Sequence, residues 1–269
     1  MLFFGGPYSN LEALQAVHKV AKEKQIPADH CLCSGDVVAY CGDPGPCVDF
    51  IRDWGCQVVM GNCEESLGAR ALDCGCGFEE GTSCDMLSQQ WFAFANSHLN
   101  DDQRAWMRDL PEKIRLHYGA LNLLAVHGGI EQNNRFIFAS QEEIINHELA
   151  LSKADIVLAG HCGIPFSKHV ADKLWVNSGV IGMPANNGQA QTWYSLIHQQ
   201  DNGLEFSFHT LDYDHQTAAG KMLERGLPSA YAKALTSGLW PGLDVLPNVE
   251  KNMTGKYSDV TSSQICFPT

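Results

Sequence analysis

Positions 121–129 read LNLLAVHGG, an apolar run that ends in a histidine beside two glycines. A short apolar run of this kind predicts a buried β-strand, and the glycines mark the turn that follows it. The same pattern occurs at three other places, each time with a different polar residue. Residues 31–36 end in Gly35-Asp36, residues 57–62 in Gly61-Asn62, and residues 155–161 in Gly160-His161.

The segments between these strands have the apolar spacing of helices. Leu11, Leu14, Val17 and Ala21 recur on one helical face, and Ser9 precedes Glu12 at the spacing of a capping box. Strands that alternate with helices indicate βαβ units, whereas the period-two alternation over residues 165–211 indicates antiparallel strands. We therefore predict one α/β domain in which mixed sheets are flanked by helices.

Composition restricts the classes of partner. The chain has 269 residues, of which 45% are apolar, so it can form a sizeable core. It has 18 basic and 31 acidic residues, a net charge of −13, and no Lys/Arg-rich run, which argues against nucleic-acid duplexes and membranes. An anionic substrate would therefore need positive charge from another source, such as a metal ion. Without an apolar stretch of about 18 residues or a signal-peptide pattern, we expect a cytoplasmic protein.

The four polar residues at the predicted strand ends point to a metal site. They are Asp36, Asn62, His127 and His161. Ligand sites of α/β sheets gather at the carboxyl ends of the strands, and carboxylate, amide and imidazole groups suit a divalent metal. Any one of these residues could equally be an ordinary turn residue. Four of them in order, each after an apolar strand, favour a shared site.

A wider set of motifs resembles a known family. In chain order these are Gly6-Pro7-Tyr8-Ser9-Asn10, Gly35-Asp36, Gly61-Asn62-Cys63-Glu64, His127-Gly128, Gly160-His161-Cys162-Gly163 and Asn177-Ser178-Gly179-Val180. The set resembles the motifs D-x-H-G-N, G-D, G-N-H-D/E, H-G, G-H-x-H and N-P-G-S of calcineurin-like metallophosphoesterases, in the branch of small bacterial phosphodiesterases and dinucleoside-tetraphosphate hydrolases. The resemblance covers about residues 3–198 and implies a four-layer α/β/β/α sandwich. No single motif is specific, but the ordered set is.

The resemblance implies a site in which one of two metal positions is lost. Gly6, Tyr8 and Gly163 stand where the family has the ligands that belong to the first metal alone. Asp36, Asn62, His127 and His161 match the ligands of the second metal and the bridging aspartate. We therefore expect one divalent ion, zinc, iron or manganese, at the retained position. A second ion with rebuilt ligands from Cys41, Cys63 or Glu64 is the less favoured alternative.

The resemblance also indicates where catalysis and phosphate binding would occur. Cys63 replaces the family histidine that assists the phosphate or leaving group, and Glu64 keeps the acid after it, so we assign Asp36, Cys63 and Glu64 to catalysis. For phosphate binding the candidates are Gly6, Tyr8, Asn10 and Arg135. Gly5-Gly6 before a capped helix could bind an anion or merely fill space. Tyr8 could donate to a phosphate oxygen or plug the vacated pocket.

Two segments lie outside these motifs. Residues 73–86 read as an inserted loop with Cys74, Cys76 and Cys84, which a zinc ion or a disulfide could close, although eleven cysteines in a chain of this size do not suggest a disulfide framework. Residues from about 212 to 269 read as a helical extension. Its apolar residues would pack on the domain or on a second subunit, so a homo-oligomer is an alternative to a monomer.

These observations favour a metal-dependent phosphoesterase. Its partner would be a small phosphate-containing molecule, which is a phosphodiester, a nucleotide or a dinucleoside polyphosphate. The alternative is a catalytically degenerate relative that serves as a phosphate-ligand sensor or interaction protein. The missing ligands favour the sensor, whereas the retention of four ligands favours the enzyme, because an unused buried Asp–His cluster would cost stability.

Overall fold

Two mixed β-sheets form the centre of the molecule, whose computed structural model describes residues 1–256, 260 and 263–266. The first sheet contains, in spatial order, β11 (Ser263–Cys266), β10 (Gly203–Leu211), β9 (Thr192–Gln200), β1 (Leu2–Phe4), β2 (Cys31–Cys33) and β3 (Gln57–Val58). The second contains β4 (Ile114–Tyr118), β5 (Leu121–Ala125), β6 (Ile156–Ala159), β8 (Lys173–Ser178) and β7 (Pro165–Val170). Strands β1, β2 and β3 are parallel, as are β5, β6 and β8, and the remaining pairs are antiparallel.

Helices cover the outer faces of the sheets. They are α1 (Leu11–Glu23), α2 (Pro44–Trp54), α3 (Asn62–Ala69), α4 (Ser83–Ser97), α5 (Asp101–Arg108), α6 (Glu142–Ser152), α7 (His215–Glu224), α8 (Ser229–Ser237) and α9 (Asn248–Asn252). None of the helices in the described part of the chain is long and apolar enough to cross a membrane.

Alternating side chains divide the core into layers. Phe3 and Leu32 of the first sheet pack against Leu123 and Leu158 of the second, and these form the layer between the sheets. The neighbouring residues point outward and pack under helices, so that Phe4 belongs to the cluster that holds α1 and α2. On the far side, the second sheet packs against Ile145 and Leu149 of α6. The predicted four-layer α/β/β/α sandwich is therefore confirmed.

The structure revises two predicted segments. The inserted loop ends before residue 86, because α4 begins at Ser83 and the Thr82 hydroxyl accepts a hydrogen bond from the Asp85 amide at 3.3 Å. In its described residues the C-terminal extension contains α7, α8 and α9, and it also contributes β11, which pairs with β10. Thr82 is a strong N-cap residue, but the glycines and cysteines before it obscured the helical pattern.

Ion pairs attach the C-terminal extension to the loop beside the strand ends. Lys221 of α7 lies 2.5 Å from a Glu12 oxygen and 2.8 Å from an Asp43 oxygen, and Arg225 lies 2.5 Å from the other Asp43 oxygen. Asp43 is buried, so these contacts are less screened by solvent than surface pairs are. The extension is thereby held beside residues 36–43, which lead away from Asp36.

Candidate metal centre and adjoining cavity

The four predicted ligands meet at one point between the two sheets. Nε2 of His127 lies 3.0 Å from Oδ1 of Asn62, 3.0 Å from Nδ1 of His161 and 3.2 Å from Oδ2 of Asp36. Asp36 and Asn62 follow β2 and β3 of the first sheet, and the two histidines follow β5 and β6 of the second. The carboxyl ends of the central strands therefore form the site, as the sequence predicts.

Backbone geometry at the strand ends brings the ligands together. A Cβ atom at Gly160 would lie 2.3 Å from the Ser34 hydroxyl oxygen, so only glycine lets the two sheets approach here. Asp36 and His161 adopt φ angles of 54° and 61°. Left-handed backbone costs such residues about 1–2 kcal/mol each, and it persists because the surrounding sheets and loops hold it in place.

Hydrogen bonds from outside the cluster orient three of the four ligand side chains. Nδ1 of His127 lies 2.6 Å from the Ser34 carbonyl oxygen, so Nδ1 carries the proton and donates, and Nε2 presents its lone pair. Nδ2 of Asn62 donates to the Cys74 carbonyl oxygen at 3.0 Å, which turns Oδ1 toward His127. Oδ1 of Asp36 accepts from the Cys63 amide at 3.1 Å and leaves Oδ2 facing the centre.

The surroundings shift the pKa values of three groups in the cluster. Burial acts to raise the pKa of Asp36, but the charges of the two histidines outweigh it and hold the pKa below its usual value. Burial acts to lower the pKa of His127, but the charge and hydrogen bond of Asp36 raise it overall. Burial and the nearby His127 charge lower the pKa of His161 to about 3, so that ring stays neutral.

This donor set fits a divalent cation. Three acceptor atoms lie within about 3.2 Å of His127 Nε2, and a single proton on that nitrogen can satisfy one of them well. A cation would be bound by all four atoms at once. Within the described residues, Asp36, His127 and His161 form the cluster of acidic, His or Cys groups whose spacing suits a metal ion. Two imidazoles, a carboxylate and an amide oxygen suit zinc, iron or manganese.

Aromatic rings cover two of the positions at which the resemblance implies lost ligands of a first metal. A Cβ atom at Gly6 would lie 2.5 and 2.8 Å from ring carbons of Tyr8, which therefore packs directly over this glycine. A Cβ atom at Gly163 would lie 3.1 and 3.3 Å from ring carbons of Trp240. Tyr8 thus covers Gly6, and Trp240 of the C-terminal extension covers Gly163.

A cavity, called here the aromatic cavity, adjoins the cluster. Asp36 and His161 form part of its wall. Its rings come from five separate segments, and they are Tyr8, Tyr40, Phe78, Phe136, Tyr231 and Trp240. Burial is the first cause of a raised pKa at Tyr8, so its hydroxyl stays protonated and can donate to an oxygen. Tyr40, Phe136 and Tyr231 cannot be identified from the sequence, because none lies in a motif and only tertiary packing brings them together.

Cys63 and Glu64 lie behind the cluster. Glu64 is fully buried, and one of its oxygens accepts from the Asp36 amide at 2.7 Å and the Gly61 amide at 3.0 Å. The other accepts from the Val38 amide at 3.3 Å. Glu64 is therefore a positioning residue for the ends of β2 and β3 and does not face the cavity. Burial and the charges of Asp36 and Glu64 raise the pKa of Cys63, which favours a neutral thiol.

Asn10 and Arg135, two of the predicted phosphate ligands, are engaged elsewhere. Oδ1 of Asn10 caps α1 by accepting from the Ala13 amide at 3.1 Å, and its Nδ2 donates to the Gly182 carbonyl at 3.2 Å. Asn10, rather than Ser9, is therefore the cap of α1. Arg135 pairs with buried Glu148 at 2.8 Å. Neither residue lines the aromatic cavity.

The Gly5-Gly6 segment packs closely against another loop. A Cβ atom at Gly5 would lie 2.0 Å from the Gly179 carbonyl oxygen, and the Gly6 carbonyl accepts from the Gly182 amide at 2.9 Å. This contact favours the space-filling interpretation of the two glycines over an anion-binding turn.

The inserted loop contacts the metal-binding residues. The structure joins Cys74 to Cys76 by a disulfide, whereas Cys84 lies in α4 and is free. Sγ of Cys76 lies 3.5 Å from Nδ2 of Asn62. Cys41 is engaged with the Gly182 carbonyl at 3.8 Å and does not join the cluster. The loop therefore supports Asn62 instead of forming a separate zinc site.

The fold and the cluster together define an α/β sandwich with a candidate metal centre at its strand ends. Residues 9–202 match the calcineurin-like phosphoesterase superfamily domain, and the chain belongs to this family. Members of the family generally bind divalent metals. The resemblance predicted from the sequence motifs is thereby confirmed at the level of the family.

Individual relatives are similar over nearly the whole chain. The protein MJ0912 of Methanocaldococcus jannaschii is 25% identical over 250 residues, which are 86% of this chain and 95% of that protein. The metallophosphoesterase of Sphaerobacter thermophilus has 20% identity and a TM-score of 0.68, with 88% and 98% of the two chains covered. Hypothetical protein PH1004 of Pyrococcus horikoshii OT3 has 16% identity and a TM-score of 0.76, with 89% and 98% covered. These two structures support the fold.

Proposed function

We propose that this protein is a metal-dependent phosphoesterase that holds one divalent ion at Asp36, Asn62, His127 and His161. One observation carries the proposal, which is the convergence of four lone-pair donors on one buried point. Hydrogen bonds from outside the cluster orient three of them. Ordering these side chains in advance lowers the conformational entropy and strains the backbone. The binding energy of a cation would offset both costs.

The chain's own groups define how a small phosphate ester would react. When bound, the ion would polarise a phosphate oxygen and lower the pKa of a water molecule. Tyr8 lines the cavity beside Asp36, and its protonated hydroxyl can donate to a second phosphate oxygen. Oxygen from water then bonds to phosphorus, and the ester P–O bond breaks. The alcohol leaves with a proton.

The first test combines metal content with turnover. Protein purified without chelator should contain about one equivalent of zinc, iron or manganese by elemental mass spectrometry. It should hydrolyse bis(p-nitrophenyl) phosphate, and His161→Ala should abolish both metal and turnover while circular dichroism stays unchanged. The control is His147→Ala, because His147 is an exposed residue of α6. Full turnover by His161→Ala, or by the metal-free wild type, would contradict the proposal.

The filled half-site favours a second candidate function. Tyr8 and Trp240 occupy the region from which the family ligands are missing, so a two-metal clamp cannot form there without movement. The protein would then be a sensor that binds a small phosphate-containing molecule without consuming it. In that case ADP should raise the melting temperature in the presence of metal, and chromatography should recover all of the ADP.

A further inference from the structure

The wall of the aromatic cavity has little charge for a site beside a phosphoesterase centre. Among the described residues that line it, no Lys or Arg is present, and Asp36 is the sole carboxylate. The remaining wall is formed by rings, aliphatic groups and sulfur, including Val180, Met183 and Val245. A polyanionic group placed here would have no basic side chain to offset its charge.

The rings are fixed before any ligand arrives. Tyr40 contacts Tyr8 edge-on at 4.9 Å between centroids and contacts Tyr231 at 4.7 Å. Nε1 of Trp240 donates to the Pro184 carbonyl at 2.6 Å, and its backbone amide donates to Oδ1 of Asn186 at 2.9 Å. A wall held in this way loses little conformational entropy when a ligand binds.

Three rings of the cavity wall are themselves half-buried. Phe78, Phe136 and Trp240 are each partly exposed, whereas Tyr8 lies deeper and is buried. Phe136 also packs on the His161 ring at 4.1 Å between centroids, so the aromatic wall continues to the metal-binding cluster. A ligand could therefore contact the rings and the cluster at the same time.

We infer that the aromatic cavity binds an uncharged planar ring, next to the metal-binding cluster. Contacts with rings of the cavity wall and desolvation of the ring faces supply the affinity. The rings that cover Gly6 and Gly163 thus line the recognition site for the organic group of a ligand.

This inference rests on the proposed function only where it concerns the substrate. A substrate would place its phosphate at the cluster and its ring in the cavity. An aryl phosphoester or a simple nucleotide meets both conditions. A dinucleoside polyphosphate does not, because its additional phosphates would lie against an uncharged wall.

Binding of uncharged probes to metal-free protein tests the cavity apart from catalysis. Calorimetric titration with indole should give one saturable site, and indole-3-carboxylate should bind at least tenfold more weakly because its charge is desolvated. Adenosine, tested in the same way, shows whether the ring is a nucleobase. Binding of either neutral ring supports the inference, and saturable binding of neither overturns it.

Substitutions in the wall of the aromatic cavity test whether the neutral ring binds there. Trp240→Ala removes one wall, and Val245→Trp fills the cavity without removing a ring, so each should weaken binding at least tenfold. Trp106→Ala is the matched control, since Trp106 lies in α5 and borders a different surface depression. Its affinity should stay within about twofold of the wild type.

The outcomes separate the two proposals. Unchanged binding in both Trp240→Ala and Val245→Trp would overturn the cavity assignment, even if the protein hydrolyses bis(p-nitrophenyl) phosphate. Conversely, a protein that binds the neutral ring with these variant effects but lacks metal and turnover would uphold the cavity and refute the proposed function.

Discussion

The carbonyl oxygen of Ser34 lies 2.6 Å from Nδ1 of His127 and thereby joins the end of β2 in the first sheet to the end of β5 in the second. This contact fixes the proton on Nδ1 and turns the Nε2 lone pair toward Asp36, Asn62 and His161. Because the contact spans the sheets, the same hydrogen bond supports both the sandwich and the candidate metal centre.

Removal of the central imidazole should remove the metal. His127→Ala removes the nitrogen on which the other three ligands converge. Metal affinity should therefore fall at least 100-fold, because losing a ligand should cost more than losing a residue that only orients a ligand. Competition with a fluorescent zinc chelator measures this affinity, and exposed His147→Ala is the control. Unchanged affinity in folded His127→Ala would show that the ion binds elsewhere.

Arg135 should contribute to stability and not to substrate affinity. Glu148 is fully buried, and Arg135→Met would leave its carboxylate without the partner at 2.8 Å. Because Arg135 is about one-third exposed, we expect a loss of about 2–3 kcal/mol, below the full cost of breaking a buried pair. Urea denaturation measures the loss, and kinetics should show an unchanged KM. A raised KM with unchanged stability would instead place Arg135 at the substrate.

The matched control for this prediction is an ion pair on the surface. Arg70 contacts Asp101, but both side chains are more than half exposed. Solvent screens such a pair, so Arg70→Met should cost less than about 1 kcal/mol. The comparison distinguishes the cost of losing a surface ion pair from the cost of leaving a buried carboxylate without its ion-pair partner.

The four residues of the cluster could be identified from the sequence because each follows its own apolar strand. The positions of Asp36 and His127 depend on local strand ends, and the topology of parallel strands then brings those ends together. The hydrogen bonds of Asn10 and Arg135 could not be identified in this way. Asn10 bonds to Gly182 and Arg135 bonds to Glu148 through tertiary contacts that have no local pattern.

The aromatic cavity could not be predicted from the sequence for a related reason. Tyr8 and Trp240 come from opposite ends of the chain, and the sequence shows only that the family ligands are missing near them. The helix α4 shows a different limit, since a Gly- and Cys-rich segment runs directly into its cap at Thr82. Composition then predicts a loop where the capping hydrogen bond starts a helix.

Acid should destabilise the protein partly through His18. Burial against Phe50 and Trp54, together with the charge of Lys22, lowers its pKa below 6.5. The unfolded chain therefore binds more protons than the folded chain as the pH falls through about 6.5, and stability declines. The melting temperature of His18→Gln should fall less than that of the wild type between pH 8 and pH 5.5. His147→Gln is the control, and an equal fall in all three proteins would exclude a contribution from His18.

Trp240 should make a side chain at position 163 more costly than one at a glycine with open space around it. Gly163→Ala adds a Cβ at φ +75° that lies 3.1 Å from the Trp240 ring, whereas Gly55→Ala adds one at φ +73° with nothing within 4 Å. Both variants pay about 1 kcal/mol for the left-handed backbone, but Gly163→Ala should lose about 1–2 kcal/mol more through overpacking. Urea denaturation gives both values. Equal losses would mean that Trp240 moves aside freely.

Restoring the family ligands should therefore admit a second metal only when the covering ring is removed. The triple variant Gly6→Asp, Tyr8→His and Gly163→His removes the Tyr8 plug, but the new imidazole at position 163 would meet Trp240, which two hydrogen bonds hold in place. We expect about one equivalent of metal in this variant by elemental mass spectrometry, and about two once Trp240→Gly is added, because all the ligands of a two-metal site are then free to bind. Trp240→Gly alone is the control and should keep one equivalent. Two equivalents in the triple variant would show that the extension yields to a metal, whereas one in the quadruple variant would show that more than these rings closes the first position.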